Sequence, residues 1–326
     1  MSKATINDVA RLAGVSSATV SRVLNGQRNK VKAKTCERVD RACDELGFKL
    51  DRAARRLKTG ETRVIGLILN RTDPSDSFAR QLLLGLTDRM SQDDYHLVVI
   101  PEHEISPLGS IEYLKRYNAC DGVILTHTAP KDARVSWLHA EGFPFVTHGR
   151  TLLEFEHDYV DFDNDAFVQR AVADLAQRGA SKLGIILPSA NTTYEFITRR
   201  AFNNACGAFG IQGDVISEIT NESPAEALVN WAKERQQGYD GLVLLSDAIL
   251  PALFEGRHLS LTNQRPEYVV KALSQPLGYQ INDGIRLVAE DLYTAGEQLA
   301  ETLIQRLREP TSDLIQTLIP VAYPID

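Results

Sequence analysis

Short apolar runs alternate with helix-like stretches along almost the whole chain after residue 60. Ten of these runs are candidate strands, at 63–70, 96–101, 121–126, 144–148, 159–162, 182–188, 215–218, 241–246, 268–272 and 317–321. Helical patterns separate most of them, for example at 77–91, 109–117, 195–209, 224–236 and 247–254. This alternation predicts parallel sheets covered by helices on both faces. It occurs in two rounds, so we expect two doubly wound subdomains that bind ligands at the carboxyl ends of their strands.

Charge is divided unevenly between the segment 1–60 and the rest of the chain. The 326 residues have a formal net charge of −7. The segment 1–60 holds 14 Lys and Arg against 6 Asp and Glu, whereas the remainder holds 22 against 37. A basic segment joined to an acidic body predicts that the basic end meets a polyanion.

The sequence lacks the features of several protein classes. No apolar run approaches the roughly 18–20 residues that span a bilayer, and the start of the chain lacks the apolar core of a signal peptide. We therefore expect a cytoplasmic protein whose four cysteines are free thiols. The chain contains no phosphate-binding loop, nucleophile elbow or HExxH zinc motif. We accordingly predict no catalytic residues, no metal and no cofactor.

The basic segment is predicted to contain three short helices. Thr5 and Asp8 form a capping box at the start of the first helix, and Gly14 ends it. The second helix is expected over 17–24 and the third over 33–46. Two short helices joined by a tight turn with a glycine are typical of a helix-turn-helix. The third helix is predicted to bury Val39, Ala42, Cys43 and Leu46.

The second helix is the predicted recognition helix, because its exposed side carries small and polar residues that fit a major groove. These residues are Ser17, Ala18, Ser21, Arg22 and Asn25. Arg22 is the strongest candidate to read a base, since a guanidinium can bond guanine O6 and N7 together. The residues better placed to hold phosphates are Thr5, Ser16, Thr19 and Arg28. Taken singly, each of these residues has an alternative role as a helix cap or a solvated surface group.

Residues 5–26 (TINDVARLAGVSSATVSRVLNG) resemble the DNA-binding segment of the LacI/GalR family of bacterial transcription regulators. The resemblance continues through 45–48 (ELGF) and 53–60 (AARRLKTG). It implies a homodimer that binds pseudo-palindromic operator DNA at the bacterial nucleoid.

The same resemblance implies a hinge helix that orders on operator DNA. In the family, a leucine of this helix enters the central minor-groove step, and here that residue is Leu57, with Ala54 against the backbone. The family usually has Pro-Asn where this chain has Leu50 and Asp51. Asp51 keeps a residue that caps helices well, whereas the missing proline loosens the expected entry to the hinge.

The acidic part resembles the periplasmic-binding-protein-like body of the same family, with a ligand cleft between two subdomains. The implied domains are a DNA-binding domain at 1–49, a hinge and linker at 50–61, and an effector-binding and dimerisation domain at 62–326. We expect the chain to cross between the two subdomains near 162–165 and 285–291.

Strand ends and the family resemblance together give eight candidate effector-binding residues. They are Phe78, His127, Arg150, Asp163, Arg199, Ser246, Asp247 and Glu290. Phe78 either stacks on a ligand ring or packs in the core, and His127 either faces the cleft or lies on a surface loop. Asp163 either accepts hydrogen bonds from ligand hydroxyls or caps the next helix.

Two departures from the family pattern leave the ligand class open. The usual arginine before a Gly-aromatic pair is replaced by Thr198, and Lys271 stands roughly where Gly-Phe-Asp-Asp is common. Two carboxylates with one arginine and an aromatic ring favour a neutral sugar or glycoside. A sugar acid or phosphate is the alternative if Arg150, Arg199 and Lys271 converge, and a cavity without a ligand is a third.

The expected oligomer is a dimer formed mainly by the first subdomain. Four leucines at 82, 83, 84 and 86 cannot all face one core, so some either meet a partner or lie in a helix buried on two sides. The family mechanism implies that a ligand changes the angle between subdomains and thereby the operator affinity. Repression relieved by an inducer is favoured, with co-repression as the alternative. A transport binding protein would need an export signal and would have no use for the basic segment. An enzyme would need a catalytic set, whose motifs the sequence lacks.

Overall fold

A computed structural model describes residues 4–24, 28–48, 60–69, 76–102, 106–189, 191–259, 266–273 and 284–322. The chain forms two compact units, Met1–Thr62 and Arg63–Asp326. We call the first unit the head and the second the body. The predicted hinge residues Ala54 and Leu57, and Asn25 of the recognition segment, lie outside the described residues.

The described residues of the head form three α-helices, and each lies where the sequence predicts it. They are α1 (Ile6–Ala13), α2 (Ser17–Leu24) and α3 (Ala33–Leu46), with a 3₁₀ turn at Arg28–Lys30. Both hydrogen bonds of the predicted capping box are in place, since the Thr5 hydroxyl accepts from the Asp8 amide and the Asp8 carboxylate accepts from the Thr5 amide. Gly14 ends α1 in the left-handed conformation, with φ 61°.

A small apolar core holds the three helices together. Val9, Val20 and Val39 are fully buried at its centre, one from each helix. The prediction that Leu46 is buried is wrong, because this residue is exposed. Helical periodicity identifies the face of α3, but it does not show how far along the helix the packing partners extend.

The body contains eleven strands in two sheets among the described residues. The strands are β1 (Val64–Leu69), β2 (His96–Pro101), β3 (Gly122–Leu125), β4 (Phe145–His148), β5 (Tyr159–Phe162), β6 (Lys182–Ile186), β7 (Gln212–Ile216), β8 (Gly241–Leu244), β9 (Glu267–Ala272), β10 (Ile285–Ala289) and β11 (Gln316–Ile319). Sheet 1 has the order β11-β5-β4-β3-β1-β2, and sheet 2 has the order β10-β9-β8-β6-β7. Every pairing within these sheets is parallel, as the strand–helix alternation predicts.

Helices cover the sheets and connect successive strands. They are α4 (Asp76–Ser91), α5 (Gly109–Arg116), α6 (Ala133–Ala140), α7 (Asn164–Gln177), α8 (Thr193–Phe209), α9 (Ala225–Arg235), α10 (Leu250–Leu259) and α11 (Leu292–Arg308), with 3₁₀ turns at Gln236–Gly238 and Asp247–Ile249. The chain passes from sheet 1 to sheet 2 between β5 and α7, and it returns to sheet 1 through α11 after β10. Sheet 1 is completed by β11, the last strand described.

Helices α4 and α11 cross at very short range because each has a glycine at the crossing. A Cβ atom on Gly85 would lie 2.0 Å from the Tyr293 carbonyl oxygen, and one on Gly296 would lie 2.4 Å from the Leu82 carbonyl oxygen. Leu82 and Leu86 of α4 are fully buried, whereas Leu84 is 44% exposed. This confirms the prediction that the leucines of α4 cannot all face one core.

Three elements differ from the sequence-based expectation, and the first is strand β7, which lies at Gln212–Ile216 instead of 215–218. Strand β10 was not expected, because Arg286 interrupts its short apolar run. This arginine lies on the last strand of sheet 2 and pairs with Asp174 of α7 at 2.8 Å. The helix expected over 247–254 is instead a 3₁₀ turn followed by α10, which extends to Leu259.

Candidate functional site

Helix α2 presents the side chains expected of a recognition helix. Ser17, Ala18 and Arg22 are exposed, whereas Val20 and Val23 on the opposite side are buried. Ser21 is half-buried. The exposed face therefore carries small side chains and the guanidinium of Arg22. A helix face of this kind can enter a major groove.

The residues of the head that are predicted to hold phosphates also form hydrogen bonds or ion pairs within the protein. The Ser16 hydroxyl caps α2 by accepting from the Thr19 amide at 3.1 Å, and it lies 2.9 Å from the Thr19 hydroxyl. The Thr5 hydroxyl donates to Asp8 at 2.6 Å. Arg28 contacts Asp40 of α3. These residues are fixed in position at the ends of helices, where phosphate oxygens are well accommodated.

A partly open cavity lies in the body where the carboxyl ends of strands from both sheets meet. Its volume is about 150 Å³, and its wall includes residues that directly follow β4, β8 and β10. At roughly 10–15 Å³ for each water-sized sphere, this space corresponds to about ten waters, which is close to the size of a single sugar ring.

Five of the eight predicted effector-binding residues line this cavity. They are Phe78, His127, Arg150, Ser246 and Glu290. The structure does not bring the other three to its wall. Asp163 caps α7 by accepting from the Ala166 amide at 3.0 Å, Arg199 pairs on the surface of α8 with Glu195, and Asp247 accepts from the Leu273 amide at 3.2 Å. The capping alternative for Asp163 is thus the arrangement observed.

The sheet 1 side of the cavity carries an aromatic cluster of Phe78, His127 and His148. The Phe78 ring centroid lies 5.6 Å from that of His127 and 5.5 Å from that of His148, both edge to face. Burial lowers the pKa of His127 to about 4, helped by His148 and Arg134, and burial also lowers the pKa of His148. Both imidazoles are therefore neutral at pH 7 and can accept a hydrogen bond.

The backbone at His127 is held in an unusual conformation. Its φ is 52°, in the left-handed region that is uncommon for residues other than glycine, although asparagine, aspartate and histidine adopt it more often than the rest. The buried guanidinium of Arg134 donates to the carbonyls of Thr126 and His127 at 3.2 and 3.1 Å, and it pairs with Asp132 at 2.7 Å. This network over-determines the turn and directs His127 toward the cavity.

Arg150 also belongs to the sheet 1 side and is paired with carboxylates. Its Nε donates to Asp161 Oδ2 at 2.8 Å, and its Nη2 lies 3.7 Å from Asp165 Oδ2. Burial raises the pKa of Asp161, and the Arg150 guanidinium opposes that increase.

The sheet 2 side of the cavity contains a buried ion pair. Lys271 Nζ lies 2.7 Å from Glu290 Oε2, donates to Asn164 Oδ1 at 3.3 Å, and sits 4.2 Å from the ring centroid of Tyr194. Burial alone would lower the pKa of Lys271, but Glu290 and Tyr194 raise it above its ordinary value. Burial raises the pKa of Tyr194 to about 12. The lysine is therefore charged and compensated.

Several buried polar atoms of the cavity wall have no hydrogen-bond partner among the described residues. They are His148 Nε2, Arg150 Nη2 and Asn221 Oδ1. His148 Nε2 lies 3.9 Å from Glu290 Oε1, which is too far for a hydrogen bond but brings the two sheets together. Buried polar atoms without partners are uncommon in native proteins, and these three are supplied by different elements around one space. A ligand with several hydroxyl groups would satisfy them.

Sequence reasoning missed His148, Asp161, Asn164, Tyr194 and Asn221 as cavity residues. His148 ends β4 and Asn164 follows β5, so their positions at strand ends were the available signal. Nothing in the sequence pattern singles out Tyr194 or Asn221. In the described part of the chain, no cluster of three or more His, Cys, Asp or Glu residues has the arrangement of a metal site. Nor is any described helix long and apolar enough to cross a membrane.

Comparison with known proteins shows what the head and the body are similar to. Residues 5–50 match the family model for bacterial regulatory proteins of the lacI family. The HTH-type transcriptional regulator AglR of Rhizobium meliloti (strain 1021) is 31% identical over 212 residues, which are 64% of this chain and 59% of that protein. RafR of Escherichia coli is 29% identical over 214 residues, 65% of this chain and 63% of that protein. These matches span about three fifths of each relative's length.

Solved structures share the fold over nearly the whole chain. The transcriptional regulator CelR in complex with cellobiose is 22% identical with a TM-score of 0.68, covering 99% of this chain and 98% of that one. The lac repressor dimer bound to operator and the anti-inducer ONPF is 18% identical with a TM-score of 0.76, covering 98% and 97%. The family model confirms the resemblance to bacterial regulatory proteins of the lacI family over residues 5–50. The predicted helix-turn-helix head with a two-sheet α/β body is the observed fold, which the solved structures share.

Proposed function

We propose that this protein is a sequence-specific DNA-binding transcriptional regulator whose operator affinity is controlled by a small ligand in the body cavity. The observation that carries the proposal is the head, in which an exposed polar recognition helix lies within a segment that matches the lacI family model. The basic charge of the segment 1–60 supports DNA as the partner. With DNA as the partner, the expected place of action is the bacterial cytoplasm.

A neutral, polyhydroxylated ligand such as a sugar or glycoside fits the cavity better than an anion. Among the described residues of the cavity wall, the cations are Lys271 and Arg150, and each contacts a carboxylate of the protein. The third predicted cation, Arg199, lies elsewhere on α8. The unpartnered atoms of His148, Arg150 and Asn221 include both donors and acceptors, which sugar hydroxyls can satisfy together.

The expected mode of action is repression relieved by the ligand. Ligand binding to one arrangement of the two subdomains would change operator affinity by a coupling free energy of about 1–3 kcal/mol, and operator would change ligand affinity by the same factor. In co-repression, the same head and cavity would act, but ligand binding would raise the operator affinity instead of lowering it. We expect no enzymatic activity, because the cavity polar groups are paired or aimed at ligand rather than arranged as a nucleophile with its base.

The experiment that tests the function measures binding of the full chain to its own promoter region by fluorescence anisotropy. Sugars, glycosides and sugar acids are first screened by thermal shift, and each stabilising compound is then tested for release of the DNA. Ligand-dependent release is the expected result. Turnover of a sugar by a preparation that binds no promoter DNA would contradict the proposal.

We also propose that the protein acts as a homodimer through the first subdomain, because a helix-turn-helix reads two half-sites as a two-fold dimer. Large apolar side chains are exposed there at Leu84 of α4 and at Val98 and Val99 of β2, an edge strand of sheet 1. Leu84→Lys should shift the protein to monomers in analytical ultracentrifugation and weaken operator binding. Leu259→Lys is the matched control, since Leu259 is 51% exposed on α10 of the other subdomain. Equal behaviour of the two variants would contradict this interface.

A further inference from the structure

The ammonium group of Lys271 is the most enclosed cation of the cavity wall. Lys271 is only 4% exposed, although it ends at a space large enough for a ligand. Two aromatic rings surround it, with Nζ 4.2 Å from the Tyr194 centroid and 5.3 Å from the Phe162 centroid. A buried ammonium requires a compensating charge, and Glu290 Oε2 at 2.7 Å supplies it.

Glu290 occupies the place that an anionic ligand would need. Lys271 lies near the end of β9 and Glu290 directly follows the neighbouring strand β10, so the two side chains approach from adjacent strands. A ligand carboxylate close to Lys271 would also be close to Glu290, and like charges in one buried site repel strongly. Arg150 offers no alternative, since Asp161 and Asp165 already compensate it.

We propose that Glu290 is the specificity-determining residue that makes this cavity select neutral ligands over their anionic counterparts, by holding the charge of Lys271 within the protein. The inference rests on the proposed ligand-controlled function and adds the residue responsible for the ligand class. Its consequence is that removing one carboxylate, with almost no change of shape, converts the cavity into one that attracts an anion.

Glu222 provides a matched carboxylate for comparison. It lines the same cavity, but it accepts from the Ser189 backbone amide at 2.7 Å and pairs with no cation in the part of the chain that the structure describes. Glu222→Gln and Glu290→Gln therefore remove the same charge from the same cavity, and only the second releases a buried ammonium. A general effect of cavity charge would appear in both variants.

The test measures binding of matched neutral and anionic probes to the full chain by calorimetry, using glucose with glucuronate and galactose with galacturonate. Wild-type protein should bind the neutral member of a pair more tightly. Glu290→Gln should move the preference toward the anionic member by at least about tenfold, which is about 1.4 kcal/mol. Glu222→Gln should keep the wild-type preference.

The pH dependence of binding separates a freed ammonium from a mere change of shape. Without Glu290, burial lowers the pKa of Lys271, and a bound anion favours its protonated form. Anion affinity of Glu290→Gln should therefore be highest at low pH and fall as pH rises. The double variant Lys271→Met with Glu290→Gln should lose both the gained anion affinity and this pH dependence.

Outcomes against the inference are distinct from failure of the proposed function. Circular dichroism and promoter binding first show that each variant is folded. A folded Glu290→Gln protein with the wild-type ligand preference overturns the inference, as does wild-type protein that prefers either uronate or binds neither neutral sugar. In each of these cases, promoter binding by the same preparation leaves the regulatory function standing, whereas absence of promoter binding counts against that function.

Discussion

The head and the cavity of the body handle charge in opposite ways. Within the head, the segment 1–60 has more than two basic residues for each acidic one, and the guanidinium of Arg22 is exposed on the recognition helix. In the cavity, Lys271 and Arg150 are each held by a carboxylate of the protein. The head thus offers positive charge to a partner, while the cavity retains it. In the function that we propose, one chain therefore binds a polyanion at one site and excludes small anions at another.

The two sites also differ in how the chain assembles them. The contact surface of the head comes from one continuous stretch of sequence, and its geometry depends on helix caps at Thr5, Gly14 and Ser16. The cavity draws on side chains that are far apart in sequence and belong to both sheets. Its His148 and Glu290 side chains lie 3.9 Å apart across the two sheets. A relative movement of the two subdomains would therefore change the geometry of the cavity but not that of the recognition helix. This property suits the cavity to the proposed control by a ligand.

The largest expected difference between the sites is their response to salt. If a dimer neutralises about 6–10 phosphates, its DNA affinity falls by about 10³–10⁵ between about 50 and 200 mM salt. The reason is that protein binding releases counterions from the DNA, and this release becomes less favourable as the salt concentration rises. Ligand affinity should change little, since buried pairs are poorly screened. Anisotropy with promoter DNA and calorimetry with the ligand, over the same salt series, measure both. Parallel loss of the two affinities would remove the distinction.

Arg22→Ala should relax base preference at one position of each half-site by about 1–3 kcal/mol. The physical reason is loss of a bidentate contact to a base edge, which phosphate contacts cannot replace. Competition binding with operators substituted at each position gives the measurement. Arg11→Ala is the control, because Arg11 is exposed on α1 and pairs with Asp8. A uniform loss of affinity over all operators with Arg22→Ala would mean that this residue holds a phosphate.

The head could be predicted closely because its structure is determined by neighbours in sequence. The bounds of α2, the capping box at Thr5 and the left-handed turn at Gly14 each depend on residues within a few positions. The strands of the body were also recognisable, since strands buried on both faces are apolar throughout. Strand β10 was missed because Arg286 interrupts its apolar pattern. The strand tolerates this arginine because it lies at the edge of sheet 2, where the guanidinium reaches the carboxylate of Asp174.

The cavity could be predicted only in part, because strand register and side-chain direction are not local properties. Asp163 was selected and Asn164 was not, yet Asp163 caps α7 while its neighbour bonds Lys271. The sequence indicated both Lys271 and Glu290 but not their contact, which depends on the register of β9 with the unpredicted β10. The effector roles of Asp163, Arg199 and Asp247 stay predictions without a place in the cavity wall.

The smallest expected effect separates the two units by their response to acid. His127 has its pKa lowered to about 4 by burial, so the folded body favours its neutral form. As pH falls below the ordinary value of about 6.5, the unfolded chain binds a proton that the folded body does not, and stability decreases until about pH 4. For this one group the loss at pH 5 is about 2 kcal/mol.

His127→Asn should therefore lose about 2 kcal/mol less stability than wild type between pH 7 and pH 5. Asparagine tolerates the left-handed backbone found at this position, where φ is 52°. Urea unfolding, followed by circular dichroism at the two pH values, gives the free energy of unfolding of each protein. The contributions of other titrating groups largely cancel when the variant is compared with wild type. The head is the internal control, because the segment 1–60 contains no histidine, the side chain whose ordinary pKa lies between pH 5 and pH 7. Hydrogen exchange in α1–α3 should thus report the same opening free energy at both pH values. If the head weakens with acid as the body does, or if the variant loses as much stability as wild type, buried histidine is not what makes the body acid-sensitive.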